Sequence, residues 1–225
     1  TSKPFSILIS GNDSFGSLDE TSRSDVDMLV TINPVTSTIL MTSIPRDSYV
    51  EEVCDDYACN YGAYDKLTHT GLYGVDTTKD TVENLLGIDI NYVFRVNFTS
   101  MIDIVDALGG IDIDVAEGMA VSKFYTNSTL EGVHEGTNHL DGKRALAYSR
   151  ERKAYIDGDV QRARNQQQVL QAMFKKATSP EIITKYTSLL KALTHAFDTN
   201  MSTKEITSFI KYQIQAKPSW KFEQY

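Results

Sequence analysis

Cysteine is scarce here: the 225 residues contain two, Cys54 and Cys59, both within EEVCDDYACNYG. A short disulfide pinning one polar, turn-like loop is the favoured reading, with two unpaired thiols as the alternative. Zinc is disfavoured, because His69 is the sole nearby partner and the ligand set would be incomplete. No apolar run approaches the ~20 residues needed to cross a bilayer, and no signal peptide is evident. The sequence begins at Thr1, without Met and almost directly on a strand-like segment. It therefore reads as an excised or processed domain, and a missing anchor in it says nothing about the native chain. Positive charge is also in deficit: the net charge is −8 and the pI about 5.0. That balance argues against a dedicated nucleic-acid binder, which needs a spread basic footprint. Internal repeats and low-complexity linkers are absent too, so residues 1–225 are expected to form a single domain.

What is present is ordinary for a globular protein, with 41% hydrophobic and 23% charged residues in a chain long enough for a sizeable core. FSILIS (5–10), MLVTIN (28–33) and TILMTSI (38–44) read as strands, the last two joined as a hairpin by the Asn33-Pro34 turn. The segment 51–70 reads as a polar loop. A helix is expected over Thr77–Leu86, capped by Thr77 and stopped by Gly87. YVFRVNF (92–98) alternates as a strand. TSMIDIVDALGG reads as a helix with Thr99 as cap and an apolar stripe of Met101, Ile104, Val105 and Leu108, ended by Gly109-Gly110. IDIDV (111–115) suits a strand with one wet face, and 116–140 reads as irregular. Helical patterns follow over 143–147, 160–177, 181–197 and 203–215, with Pro180 at a helix start. Strands mixed with helices throughout predict a layered α/β sandwich with a mixed sheet.

Against this acidic background one stretch stands out, LDGKRALAYSRERKAYIDGDVQRARNQQQ at 140–168. Between Lys143 and Arg164 it holds seven cations and three anions, a local +4. Arginine's planar fork matches two oxygens of a carboxylate or phosphate at once, so the functional reading is a pocket for a phosphate-rich ligand. A solvated charged face is the alternative. Arg162 and Gln166 share a helix face, whereas Arg164 lies about 200° round from Arg162. If the chain is extended after Tyr148, Arg150 and Arg152 project from one side.

Further polar groups sit at strand ends, where α/β folds carry their sites. Asp13 follows the first strand; Arg23, Asp25 and Asp27 precede the second; Arg46 and Asp47 follow the third. Carboxylates from different loops can hold Mg²⁺, which keeps waters for a phosphate to replace; singly, each Asp is also a ready turn former or cap. Asp27 sits against the apolar strand and is left out of that set, since an arginine partner suits it equally. Asp47 is a candidate to hold Arg46. Lys66 is a candidate phosphate contact, and His69 is either structural or direct in its role. Arg95 is either an ion-pair partner or near the site. Met101, Met173, Phe174, Phe197, Phe209 and Tyr212 fit either plain core or the wall of a lipid cavity.

Five blocks carry a resemblance: RSDVDMLVTINP (23–34), IPRDSYV (44–50), KLTH (66–69), LDGKRALAYSRER (140–152) and DGDVQRARNQQQVL (157–170). In this order they are similar to the LytR–CpsA–Psr family, most of all to its streptococcal capsule-assembly members. The match spreads over roughly 5–170, and the helices of 180–225 resemble the family less distinctly. The resemblance implies an α-β-α sandwich with a central mixed sheet, displayed on the extracellular face of a Gram-positive membrane through an upstream anchor. It implies a phosphotransferase that moves capsule or teichoic-acid-type glycopolymer from undecaprenyl pyrophosphate to peptidoglycan. By the same resemblance Arg46, Arg150, Arg152, Arg162 and Gln166 grip the pyrophosphate and Asp13 and Asp25 hold Mg²⁺ (or Mn²⁺). Arg23 lies beside the metal. Asp25 and Arg46 are the candidates for proton movement, and a greasy tunnel between sheet and helices takes the polyprenyl tail. Two departures stand out: Gln161 and Asn165 occupy positions where many members carry Gly and Arg, and Thr68 replaces the usual Asn before His69. A non-catalytic module binding polyprenyl phosphate or glycan is the alternative reading. A DNA-binding regulator is disfavoured by the acidic balance and the absence of an evident helix-turn-helix.

Overall fold

The computed structural model describes residues 3–18, 21–55 and 58–225; Asp19 and Glu20 of the first loop and Asp56 and Tyr57 of the cysteine loop lie outside the described residues. The strands are β1 (Phe5–Asn12), β2 (Val26–Asn33), β3 (Thr38–Ile44), β4 (Tyr49–Glu51), β5 (Tyr64–Lys66), β6 (Tyr92–Asn97), β7 (Ile111–Val115), β8 (Val121–Lys123), β9 (Glu131–Val133), β10 (Gly136–Leu140), β11 (Asp198–Thr199) and β12 (Lys221–Gln224). The helices are α1 (Leu67–Thr70), α2 (Val75–Leu86), α3 (Phe98–Ala107), α4 (Gly142–Arg150), α5 (Gly158–Ala177), α6 (Pro180–Ile183), α7 (Tyr186–Ala192) and α8 (Thr203–Ala216). They fall into two compact units, one of Thr1–Phe98 with Phe197–Tyr225 and one of Thr99–Ala196.

The first unit is built on a six-stranded mixed sheet in the order β11-β6-β1-β2-β3-β12. β1, β2 and β3 form an antiparallel meander, while β6 joins β1 and β12 joins β3 in parallel. The hairpin turn is set by Asn33, whose Oδ1 accepts the amides of Val35 and Thr36. Alternation along β1 sends its side chains to opposite faces. Leu8 clusters with Leu29, Ile44 and Val82 of α2. Phe5, three residues earlier, meets Phe209 of α8 edge-on at 6.0 Å. Helices therefore cover both faces of this sheet, the layered arrangement the sequence predicts.

Several sequence expectations are corrected. α2 starts at Val75 behind Gly74, so Thr77 is a buried helical residue and not a cap. Its inward face is threonine-rich: Thr78 accepts from the Thr70 hydroxyl, and Thr81 donates to the Val53 carbonyl. Segment 51–70 contains the last residue of β4, all of β5 and the single turn α1. A disulfide joins Cys54 to Cys59 at that ribbon's tip.

The second unit packs α4 and α5 on two antiparallel strand pairs, β7–β10 and β8–β9. Its core holds Val105, Ile111, Phe124, Leu140, Tyr148 and Val169, with Met101 and Met173 packed against it. Residues 116–140 are thus not irregular: β8, β9 and β10 lie there, and β10 finds its partner about 25 residues upstream in β7. β7 alternates buried and exposed as expected. The single helix expected over 181–197 is two, α6 and α7. The Thr184 hydroxyl takes the Glu181 carbonyl, and the Lys185 amide bonds to Ile182 instead.

Breaking the Cys54–Cys59 bond opens a short loop, a change worth about 2 kcal/mol by chain entropy. The expected outcome is a lower melting temperature under reductant in the wild type and none in a Cys54→Ser/Cys59→Ser variant. An equal reductant response in both would contradict it.

Candidate functional site

In the first unit the polar groups gather at the loop ends of β1, β2 and β3. Arg46 Nη1 donates to Asp25 Oδ1 at 2.9 Å, and the Asp13 amide donates to Asp25 Oδ2 at 3.0 Å. Arg46 stays 42% exposed while Asp25 is 15% exposed, so the pair presents a guanidinium outward over a held carboxylate. Asp47 approaches Arg46 Nε only to 3.7 Å; its stronger partner is Lys66 Nζ at 2.8 Å. Lys66 and Arg46, its electrostatic neighbours, hold the Asp47 carboxyl below its usual range, the hydrogen bond from Lys66 acting most. The Thr68 amide donates to the Arg46 carbonyl and the Ser24 amide to the Thr68 carbonyl, so the KLTH segment is threaded between both charged loops. His69 Nδ1 lies 2.8 Å from Asp65 Oδ2.

Arg23 is exposed and, with Arg95, lines a small polar cleft shared with Ser10, Asn12, Ser22, Gly71 and Val75. Arg95 also pairs with Asp198 at 3.5 Å, so it is at once an ion-pair partner and a neighbour of the site. Gly71 permits the cleft to close: a Cβ there would sit 2.3 Å from the Ser22 carbonyl. Beneath lies Asp27, buried and without the arginine partner considered for it. Ser24 Oγ donates to Asp27 Oδ1 at 2.5 Å and meets Ser10 Oγ at 2.8 Å. Burial pushes the Asp27 carboxyl up to about 7, with the serine bonds opposing and Asp25 adding to the rise. Its Oδ2 has no hydrogen-bond partner among the described residues, so nothing there offsets the cost of burying the charged form.

In the second unit α4 runs on to Arg150, so the chain does not extend after Tyr148; Arg150 is the last helical residue and Glu151 the extended C-cap. Glu151 is fully buried. Its carboxylate accepts the amides of Tyr125, Arg152 and Ala154, which fixes the turn that presents Arg150 and Arg152. Sequence reasoning passed over Glu151; its signal is a lone acid between two arginines. α5 carries Arg162 and Gln166 on one face, with Arg164 exposed elsewhere. Gly158 lets the start of α5 approach the loop, since a Cβ there would lie 2.4 Å from the Arg152 carbonyl. Arg152 Nη1 and Arg162 Nη2 then reach the same oxygen, Asp159 Oδ1, at 3.5 and 3.2 Å. Two forks from separate elements thus converge on one carboxylate. The two departures also acquire a role: Gln161 Nε2 donates to Asn165 Oδ1, and Asn165 Nδ2 donates to the Tyr148 carbonyl, tying α5 to the end of α4.

Magnesium takes oxygen ligands and often needs just one or two carboxylates when phosphates complete its shell. Asp13 and Asp25, in contact through the Asp13 amide, fit that chemistry. Among the described residues no group of three or more His, Cys, Asp or Glu is placed to hold a metal, so the pair is not a self-sufficient cage. No described helix is long and apolar enough to cross a membrane.

Fold and site together define a mixed α/β protein whose strand-end and helix-end loops carry arginines held by carboxylates. The LytR_cpsA_psr family model matches residues 1–223, and the chain belongs to that family. The solved structure of gbs0355 from Streptococcus agalactiae is similar, with a TM-score of 0.83 at 30% identity over 100% of this chain and 77% of that one. TagT bound to LI-WTA is similar with a TM-score of 0.76 at 32% identity, over 99% of this chain and 77% of that one. TagU of Bacillus anthracis, a polyisoprenyl-teichoic acid–peptidoglycan teichoic acid transferase, is 38% identical over 208 residues, 91% of this chain and 63% of TagU. The chain thus spans less than two thirds of that relative's length.

Two outcomes follow for stability. The Asp27 carboxyl titrates near 7 when folded against 3.8 as its reference value, so its contribution is full below the lower value and lost as pH rises through the upper one. Asp27→Asn should therefore flatten the fall in melting temperature between pH 5 and pH 8 in metal-free buffer; an unchanged slope would refute this. Glu151→Ala leaves buried amides without an acceptor and should cost about 3 kcal/mol in urea unfolding, with Glu151→Gln costing less.

Proposed function

We propose that this domain is a phosphotransferase that moves a cell-wall glycopolymer from a polyprenyl-pyrophosphate carrier to peptidoglycan. The observation that carries the reading is the convergence of Arg152 and Arg162 on one Asp159 oxygen, an arrangement into which a phosphate oxygen fits equally. Family membership and the activity named for TagU support it. We assign the phosphate contacts to Arg23, Arg46 and Lys66 of the first unit and to Arg150, Arg152, Arg162 and Gln166 of the second. Asp13 and Asp25 hold Mg²⁺ or Mn²⁺, which when bound neutralises phosphate charge. A peptidoglycan hydroxyl attacks the phosphorus attached to the sugar. A new P–O bond forms, the bond to the lipid phosphate breaks, and the hydroxyl proton leaves to a base. The arginines stabilise charge gathering on the departing lipid phosphate. Water in place of the hydroxyl gives pyrophosphate hydrolysis as a side activity. The domain works outside the membrane on an upstream anchor, and its cargo is a capsule- or teichoic-acid-type polymer.

The test is labelled lipid-linked glycan mixed with peptidoglycan. Wild type should transfer label, chelation should stop it, and Arg162→Ala should lower the rate about 100-fold or more, as for loss of one transition-state donor. Retained ligand with no turnover under any metal would favour the non-catalytic binding module instead. Undiminished transfer by Arg152→Ala and Arg162→Ala would overturn the assignment.

A further inference from the structure

The β4–β5 ribbon carries a feature the phosphate chemistry does not use. Tyr49 and Tyr64 stand on one face of it, 73% and 56% exposed, with ring centroids 5.6 Å apart and planes inclined by 37°. Among the described residues neither hydroxyl has a hydrogen-bond partner. Cross-strand aromatic pairs can serve merely to hold a two-stranded ribbon together. This ribbon has other anchors. Val50 on its opposite face is buried in the sheet-facing cluster, and the disulfide closes its tip. Large exposed rings with free hydroxyls are the side chains that interfaces use, one end apolar and the other wet.

The pair is also joined to the charged loop by an unbroken ladder. Tyr49 is paired with Lys66; beyond them the Leu67 amide bonds to Ser48 and the Thr68 amide to Arg46. A ligand lying along this ladder passes from Arg46 over Lys66 onto the rings. The local charge indicates which ligand. Lys66 ends the run of phosphate contacts, and past it the tyrosine face carries the Glu51 carboxylate beside Tyr64. A phosphate-rich chain would be repelled there, whereas neutral sugar rings would lay their C–H faces on the aromatic planes.

We propose that Tyr49 and Tyr64 form a platform for the pyranose rings of the acceptor, the neutral glycan strand of peptidoglycan. This rests on the transferase reading and adds its acceptor subsite. The experiment is titration of the protein with soluble uncrosslinked N-acetylhexosamine strands, followed by NMR, alongside a parallel titration with a phosphate-rich teichoic polymer. Donor hydrolysis is assayed separately. Wild type should bind the neutral strand. Tyr49→Ala and Tyr64→Ala should each weaken it about tenfold, as truncation of a tyrosine anchor does. Tyr49→Phe and Tyr64→Phe should retain binding, and donor hydrolysis should stay unchanged in all four. No strand binding by wild type, or equal binding by the folded alanine variants, would overturn the platform even if transfer proceeds. Loss confined to the phosphate-rich polymer would overturn the choice of acceptor. Failure of transfer with strand binding intact and tyrosine-dependent would remove the enzymatic reading and leave the platform standing.

Discussion

Like charges resist being gathered. Two of them about 4 Å apart repel by about 1 kcal/mol in bulk water and by several times that near a protein surface. This protein nonetheless concentrates guanidinium groups in an acidic chain, and each described cluster is built around a carboxylate that offsets the repulsion. Asp25 holds Arg46, Asp198 holds Arg95, and Asp159 stands between Arg152 and Arg162. Arg95 is largely buried, but Arg46, Arg152 and Arg162 stay partly exposed beside their carboxylates, so those forks are oriented and remain accessible to a second anion.

Orientation depends on a further layer of polar groups beneath the charges. Glu151 spends its buried carboxylate on backbone amides and thereby sets the bend after α4. Gln161 and Asn165 fasten α5 to the Tyr148 carbonyl. Ser10, Ser24 and Asp27 form a linear chain of hydroxyls ending in the Asp27 acid, close to Asp25 in sequence. Such networks constrain geometry more than they add stability, since burial of each polar atom costs about what its bond returns.

How much of this could be read in advance depended on how far apart the interacting residues lie. The strand over Thr38–Ile44, the hairpin at Asn33 and the alternation of Ile111–Val115 follow from local pattern, and they stand as expected. The five sequence blocks were enough to place the chain in its family. The strands within 116–140 escaped because they are short and take their identity from pairing: β10 needs β7 from outside the segment, and the three-residue β8 needs β9. Thr77 misled because threonine is a good cap in isolation, while here a threonine face is buried against Thr70 and Val53. The arginines were visible as a local excess of charge. Two of the acids that aim them, Glu151 and Asp159, were not, because a single Glu or Asp in a polar stretch looks like any solvated residue until its partners are known.

The strand order of the main sheet has a consequence for biosynthesis. Its four inner strands lie within residues 5–97, whereas both outer strands, β11 and β12, come from residues 198–224. While the intervening hundred or so residues emerge at roughly 5–20 per second, β6 and β3 are left as bare hydrogen-bonding rims. The nascent protein must therefore wait several seconds with two adhesive borders uncovered, and a chaperone that shields strand edges would find its client in that interval.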